Sequence, residues 1–486
     1  ANDTVFFGSS ADDTLRALDI GTGAERWHFI AGGPIRFAPQ IAGGRVYFVS
    51  DDGYVYCLDG TSGRPVWIFR AAPTDERLLG DTRMISRWPL RCGVLVDDGV
   101  VYAVAGMWPS EGIFVYALDA ATGAVRWCND TSGAIAPDTA PQVKHPYFFG
   151  NWIGLSPQGI MLANRDTLVV PAGRASPVSF DRATGKLLFF LPGVKNIYSS
   201  GPPFALDDSF AYVYASIDKG GAGRGDNQQV GTYQIRKGSH QTSAFRDVPQ
   251  PGGMRDPGSG LDAALIVSKT RFYARQGYGI ALAGETLLVG ESGAIAAYTS
   301  KISVPKESGK SKRKMPQQRY DAADQQELWR FQVNGQARGL AVANGHVVVS
   351  TDRGEIYCFA SEGVKPDASG QRAEVSGPQS GAKSHKQTTG NEQQTTINLL
   401  RTAGMDRGYT LVVGDVSGAH SIDLALQTTL HVISVVPDEA AAHKLRERLL
   451  AETTLHGSRI HVFAASKNGH LPFAQYFANA VIVAGS

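Results

Sequence analysis

Four stretches of the chain share one pattern: LRALDIGTGAERW (15–27), VYCLDGTSGRPVW (55–67), VYALDAATGAVRW (115–127) and PVSFDRATGKLLF (177–189). Each runs through a short apolar strand into Asp-x-x-Thr/Ser-Gly. Each then reaches an aromatic residue four positions after the glycine: Trp27, Trp67, Trp127 and Phe189. Asp, Thr and Ser side chains can hydrogen-bond nearby amides and glycine supplies a positive φ, so the motif reads as a turn. The segments around it are rich in β-branched and aromatic residues, as in Val46–Ser50 and Tyr54–Leu58 on either side of the Asp51-Asp52-Gly53 turn.

Weaker copies follow. Phe210–Ser216 with Gly231–Ile235 makes a fifth unit, Leu287–Tyr298 closing on Trp329 a sixth, and Val347–Phe359 opens a seventh. Short strands at this spacing, with one turn per unit and no helical pattern between them, predict an all-β propeller. The composition agrees: 56 of 486 residues are glycine, a surplus over the usual ~7% that suits many tight turns. The 43% hydrophobic content excludes a wholly disordered chain. No apolar run approaches the ~20 residues that a membrane-spanning helix needs, and no charged-then-apolar leader stands at Ala1.

The net charge of +2 gives no argument for nucleic acid, but the charge is uneven. Between Lys301 and Tyr320 there are seven Lys or Arg and one Glu, including the run Lys310-Ser311-Lys312-Arg313-Lys314. This basic segment, 301–326, stands where other units carry their turn motif and is expected to be a solvated loop insertion. The four cysteines form no CxxC pair, and Cys57 and Cys358, in matching strand contexts, are expected to be buried free thiols.

The repeat resembles that of the quinoprotein-type propellers, whose blades carry Ala-x-Asp-x-x-Thr-Gly-x-x-x-Trp. Ala17, Asp19, Thr22, Gly23 and Trp27 match it, as do Ala117, Asp119, Thr122, Gly123 and Trp127. The resemblance covers about residues 1–362. It implies a propeller of eight blades, of which seven are visible and an eighth is expected outside 1–486. It also implies that each Trp docks between neighbouring blades, and that the protein is extracytoplasmic, in the bacterial periplasm.

Residues 363–396 change to a polar composition rich in Ser, Gly, Gln and Thr, which reads as a flexible linker. Beyond it, 397–486 alternates strand and helix. A short helix at Ile397–Leu400 is followed by strands at Tyr409–Val413, Leu430–Val436, Arg459–Ala464 and Ala480–Val483, with helices through Leu426 and over Asp438–Glu452. That order predicts an α/β, Rossmann-like module with a parallel sheet. It resembles the front half of a class I S-adenosylmethionine-dependent methyltransferase domain. On that resemblance Gly414 and Gly418 belong to the cofactor loop and Asp438 lies beside the ribose-binding position. Val416 stands at the loop's middle glycine, Val436 at the expected acid, and Ala464-Ala465-Ser466 where a Gly-Asp pair often meets the adenine.

At the place of the first strand in successive propeller units stand Arg36, Arg91, Gln158, Ser200, Tyr278 and Arg338. The three arginines lie in similar contexts, PIRFAP, PLRCGV and QARGLA. If first strands line the channel, Arg36, Arg91 and Arg338 face one axis and suit an anion, because guanidinium bonds carboxylates bidentately. On the quinoprotein resemblance that anion is pyrroloquinoline quinone, a tricarboxylate held with calcium. The adjacent Cys-Cys pair of those dehydrogenases is missing here, and no Glu/Asn/Asp set for calcium is evident.

Other candidates read as structural. The pairs Asp12-Asp13, Asp51-Asp52, Asp97-Asp98 and Asp207-Asp208 fit turn chemistry better than metal binding. Six histidines between His420 and His470 show no ligand spacing and are expected at the surface. Neither a Gly-x-Ser-x-Gly elbow nor a phosphate loop is present. Three functional readings remain: a binding or scaffold propeller with a protein partner or a small anionic ligand; a pyrroloquinoline-quinone-dependent dehydrogenase; and an S-adenosylmethionine-dependent methyltransferase.

Overall fold

A computed structural model describes residues 3–80, 82–135, 153–172, 175–189, 205–206, 210–216, 228–235, 265–272, 277–283, 286–299, 326–343, 345–360, 391–466, 471–474 and 477–484. The chain divides into two compact units. One comprises Arg91–Val375 with Ala1–Asp3 and Ile20–Gly23; the other joins Thr4–Asp19 and Ala24–Leu90 to Ser376–Ser486.

In the second unit, β1 (Thr4–Gly8), β2 (Thr14–Asp19) and β3 (Glu25–Ile30) form a three-stranded antiparallel sheet. A four-stranded antiparallel blade follows, made of β4 (Gln40–Ala42), β5 (Arg45–Val49), β6 (Tyr54–Asp59) and β7 (Pro65–Arg70). Leu15, Ile35, Val46, Phe48, Tyr56 and Leu58 form the shared core, in which the rings of Phe48 and Tyr56 stack at 4.7 Å. After the blade is complete, an extra hairpin of β8 (Arg77–Gly80) and β9 (Arg83–Ser86) leaves it.

The repeat motif folds as its chemistry predicts. Asp59 Oδ1 accepts from the Ser62 amide and hydroxyl, both at 2.8 Å, and those bonds hold its carboxyl below the usual range. Gly63 takes φ +70° and donates its N–H back to the Asp59 carbonyl at 2.9 Å. The strand before the turn carries a register shift at Cys57/Leu58, as it does at Ala17/Leu18, Ala117/Leu118 and Ser179/Phe180 in the other copies.

The glycine has a second duty. The Trp27 indole N–H donates to the Gly60 carbonyl at 3.3 Å, and its ring lies over Gly63, where a Cβ would come 2.6 Å from Cε3. In the first unit the Trp127 indole likewise donates to the Arg182 carbonyl at 3.1 Å and covers Gly185. The tryptophan of one repeat therefore sits on the bare backbone of the next repeat's turn, so the motif's two repeated ends meet across blades.

The first unit is antiparallel β throughout its described sheets of four or more strands. Leu95–Asp97, Val100–Ala105, Phe114–Asp119 and Val125–Asn129 make one blade, and Leu162–Ala163, Thr167–Ala172, Ala175–Asp181 and Leu187–Phe189 the next. Ala205–Leu206, Phe210–Ser216, Gln228–Ile235 and Leu265–Phe272 form a third. The last is five-stranded, from Gly277–Ala283 to Ile356–Ala360. Among the described residues the propeller thus has five sheets of four or more strands plus the three-stranded one, not seven separate units. The sixth and seventh merge because one 17-residue strand, Glu327–Ala343, pairs on both sides. Cys57 is buried as expected, whereas Cys358 is exposed, because its strand is the outermost of that sheet.

The C-terminal segment opens with α1 (Asn391–Thr402), which begins inside the stretch expected as linker and buries Ile397 and Leu400. Strands β10 (Arg407–Val413), β11 (Thr429–Val436), β12 (Ile460–Ala464) and β13 (Ala480–Val483) form a wholly parallel sheet in the order β12-β11-β10-β13. Helices α2 (Ala419–Gln427) and α3 (Glu439–Glu452) are the crossovers. The three helices cover one face, with Val412, Val432, Ile460 and Val462 packed against Ile422, Leu445 and Leu449. No described helix is long and apolar enough to cross a membrane. The basic segment 301–326 apart from its last residue, residues 363–390 of the expected linker, Asp207-Asp208 and Ser200 lie outside the described residues.

The Trp-on-glycine contact gives a test. Gly43 and Gly63 both have positive φ, but nothing stands within 4 Å of a Cβ built on Gly43. Gly43→Ala should cost about 1 kcal/mol from backbone strain alone. Gly63→Ala should add a further ~1–3 kcal/mol by displacing the Trp27 ring. Denaturant titration followed by tryptophan fluorescence measures both; equal losses would refute the second duty of Gly63.

Candidate functional site

The three arginines of the expected channel have different surroundings. Arg36 lies in the second unit, and its Nε donates to Asp51 Oδ2 at 2.6 Å, with the Asp51 side chain buried. Beside it the buried Asp52 carboxyl, raised by desolvation, accepts from the Gly32 amide at 2.8 Å, the Tyr54 amide at 3.0 Å and the Tyr56 hydroxyl at 2.5 Å. Arg91 and Arg338 lie in the first unit. The Arg91 carbonyl accepts from the Gly159 amide at 3.0 Å, where Cys92–Gly93 pairs with Gly159–Ile160. Arg338 is exposed; its Nη2 donates to Gln336 Oε1 at 2.7 Å and its guanidinium lies over the Tyr278 ring at 5.6 Å. Of the channel set, the structure brings Arg338 and Tyr278 together, while Gln158 is exposed.

A tricarboxylate clamp needs guanidinium groups whose charge is not already answered. Arg36 is matched by a buried carboxylate from its own blade, so it does not fit that role. Among the described residues no three His, Cys, Asp or Glu side chains converge as a metal ion requires.

The second candidate site lies at the C-terminal ends of β10 and β11, where open parallel sheets place their ligands. Gly414 (φ +89°) and Gly418 (φ +73°) flank the loop expected to cradle a cofactor. Between them Asp415 is buried and turned inward. Its Oδ2 accepts from the Ser421 amide at 2.8 Å and hydroxyl at 2.9 Å, and its Oδ1 from the Ser417 hydroxyl at 3.1 Å. The N-terminus of α2 is therefore capped by the chain's own carboxylate. Gly418 is small for packing reasons, since a Cβ there would strike Leu445 of α3. Val416 is exposed, Val436 is buried, and Asp438 caps α3 by accepting from the Ala441 amide at 2.8 Å. These residues do not fit an S-adenosylmethionine cradle, because the groups that would meet the cofactor are apolar or spent on helix caps.

A further cluster of buried charge was not legible as a site in the sequence. Arg83, from the extra hairpin, is 8% exposed. Its Nη1 donates to the Ser10 carbonyl at 2.6 Å and to Asp13 Oδ1 at 2.7 Å. Its Nη2 donates to the Ala11 carbonyl at 2.7 Å and to the Gly457 carbonyl. Asp13 holds φ +61°, where the equivalent position in the next blade is Gly53. Burial pushes its carboxyl up to about 7, against the pull of Arg83.

Next to this pair lie His456 and His461, both buried rather than at the surface as expected. Burial pushes His456 down to about 4, reinforced by Arg446 and Arg83 and opposed by Asp12. It pushes His461 down to about 3, with Arg83, His456 and His431 adding to the effect. Both ring nitrogens of His456 and Nε2 of His461 lack a hydrogen-bond partner among the described residues. His28, in contrast, bridges Glu25 at 2.7 Å and Glu447 of α3 at 3.2 Å; the two carboxylates outweigh its burial and raise it. The one available sequence signal for this cluster is negative: the second blade is complete at Arg70, so residues 77–86 are surplus to the repeat.

These strands define the class, an all-β propeller built of quinoprotein-like repeats with an α/β segment attached. Residues 1–127 match the family described as outer membrane protein assembly factor BamB. No curated protein matches the chain. Among solved structures, BamB from Moraxella catarrhalis is similar at 15% identity, over 74% of this chain and 82% of that one, with a TM-score of 0.42. Quinohemoprotein alcohol dehydrogenase from Comamonas testosteroni is similar at 14% identity, over 72% and 69%, with a TM-score of 0.40. A europium-containing methanol dehydrogenase gives 12% identity over 74% and 80%, with a TM-score of 0.37. None of these likenesses bears on what this chain binds.

The histidine cluster sets a pH dependence. An unfolded histidine titrates near 6.5, so between pH 6.5 and about 4 the unfolded chain binds protons that folded His456 and His461 refuse. Stability must then fall with falling pH in that window, by up to about 1.4 kcal/mol per pH unit for each group. Asp13, raised to about 7 by burial, acts in the opposite direction in this window, while the support from His28, raised by its carboxylates, is already complete below pH 6.5. The readout is therefore the difference between proteins: His461→Gln should flatten the decline in melting temperature from pH 6.5 to 4.5 relative to the parent. Parallel profiles would show that His461 is not neutral and buried in the fold.

Proposed function

We propose that this protein is a non-catalytic, extracytoplasmic binding or scaffold propeller that works through a protein partner. One observation carries the reading: Arg36, Arg338 and Asp438, three of the residues that would hold either cofactor, are already engaged within the chain, as is Asp415 between the loop glycines. Arg36 is paired with Asp51, Arg338 with Gln336 and Tyr278, and Asp438 and Asp415 with helix amides. The outermost strands supply what a partner would need. Val66 and Ile68 on β7, and Val125 on the equivalent strand of another blade, are 42%, 49% and 49% exposed. The match of residues 1–127 to the BamB description supports the same reading, and the C-terminal α/β segment enters it as a Rossmann-like module without a cofactor.

The alternative of a quinone-dependent dehydrogenase rests on the propeller repeat alone. The two readings separate in one set of measurements on the purified protein. Native mass spectra taken after incubation with pyrroloquinoline quinone and calcium should show the bare polypeptide, and millimolar S-adenosylmethionine should leave the melting temperature unchanged. A photo-crosslinking residue in place of Ile68 should trap one discrete protein partner in cells. A retained quinone mass, lost on Arg91→Ala, together with no adduct from Ile68, would overturn the proposal in favour of the enzyme.

A further inference from the structure

A parallel sheet is stable when both faces are covered, usually by its own crossover helices. Here α1, α2 and α3 all contribute to one core, on the Val412 and Val432 face. The other face presents Leu411, Ile433, Val435 and Phe463, which cluster with Met84 of β9 and Leu79 of β8 and with the segment's own Leu471, Phe473 and Phe477. The propeller hairpin, together with Leu471, Phe473 and Phe477, thus stands where a helical layer would.

The hairpin is joined to the segment by more than apolar contact. The Arg77 N–H donates to the Pro472 carbonyl at 2.7 Å and the Ala474 N–H donates to the Arg77 carbonyl at 2.9 Å, a parallel bridge opposite Phe473. The Arg77 guanidinium lies 4.7 Å from the centre of the Phe463 ring. At the far end of the hairpin, Arg83 spans the Ser10–Asp13 loop and Gly457, whose Cβ would come 2.6 Å from the Ala11 carbonyl. His28 of β3 reaches Glu447 of α3 as a further tie. The blade itself needs none of this, because β4–β7 already complete it.

We propose that the Arg77–Ser86 hairpin is a dedicated docking element for the C-terminal α/β segment, which folds only on the propeller and forms one cooperative unit with its first two sheets. The segment is an intramolecular partner whose recognition surface is the Leu411, Ile433, Val435 and Phe463 face.

Two measurements on the full chain test this. In the first, hydrogen exchange followed by mass spectrometry compares the parent with Met84→Ala and with a chain whose residues 77–86 are replaced by a Gly/Ser linker. Amides of β10, β11 and β12 should lose protection by about ten-fold or more, while Val100–Ala105 in the other unit keeps its own. Unchanged protection of β10–β12 in the linker-replaced chain would overturn the proposal. The second needs no destabilising variant: a protease site introduced between residues 370 and 380 is cut in the folded protein. The two fragments should co-elute on gel filtration. Separate elution of a folded C-terminal fragment would show that the segment stands alone, and would overturn the proposal whatever the exchange data give.

Discussion

A propeller blade is a small twisted sheet that cannot bury both of its faces alone, so each blade must be tied to the next. In this protein the tie is a tryptophan ring laid on a glycine. Trp27 covers Gly63 and Trp127 covers Gly185, each with its indole N–H satisfied by a carbonyl of the same turn. The glycine must satisfy two constraints at once, a left-handed backbone and the absence of a side chain. The Asp and Thr or Ser upstream hold the turn in the shape that presents it. Turn chemistry and blade packing are therefore one device, repeated.

The second unit extends this logic to an unlike partner. A buried guanidinium is costly unless every donor is used and its charge is answered. Arg83 finds four hydrogen bonds and an opposite charge where the Ser10–Asp13 loop, the hairpin and Gly457 come together. Asp13 accepts a left-handed backbone that a glycine would tolerate better, and the carboxylate it contributes explains why an acid stands there. The neutral histidines alongside are compatible with this arrangement only while they stay unprotonated, because Arg83 already supplies the positive charge.

At both cofactor-like positions, the residue types that suggest a ligand are present and are used internally. Asp438 is acidic and lies near the end of β11, yet its carboxylate caps α3. Gly414 and Gly418 keep the loop tight, yet Asp415 accepts from an amide of the helix N-terminus, the kind of group that could otherwise receive an anionic ligand. Arg36 faces Asp51, the first member of a pair that read as turn chemistry. A residue type at the right position is a necessary condition for binding; whether its hydrogen bonds are still available depends on neighbours distant in sequence.

The local and periodic parts of the structure were legible in the chain alone. The Asp-x-x-Thr-Gly turns, the strands beside them and the alternation of strand and helix after 397 follow from side chains acting on their own backbone, within a few residues. The merging of the last two propeller units was not legible, because Glu327–Ala343 pairs on both sides through contacts that leave no short-range mark. Burial of His456 and His461 was equally hidden, since the charge they feel there includes that of Arg83, nearly four hundred residues away in the chain. The joining of Arg77–Ser86 to the C-terminal sheet is of the same kind. Sequence periodicity determined what each segment becomes; only tertiary structure decided which face covers which, because burying an apolar face and pairing a buried charge require partners that local propensity cannot name.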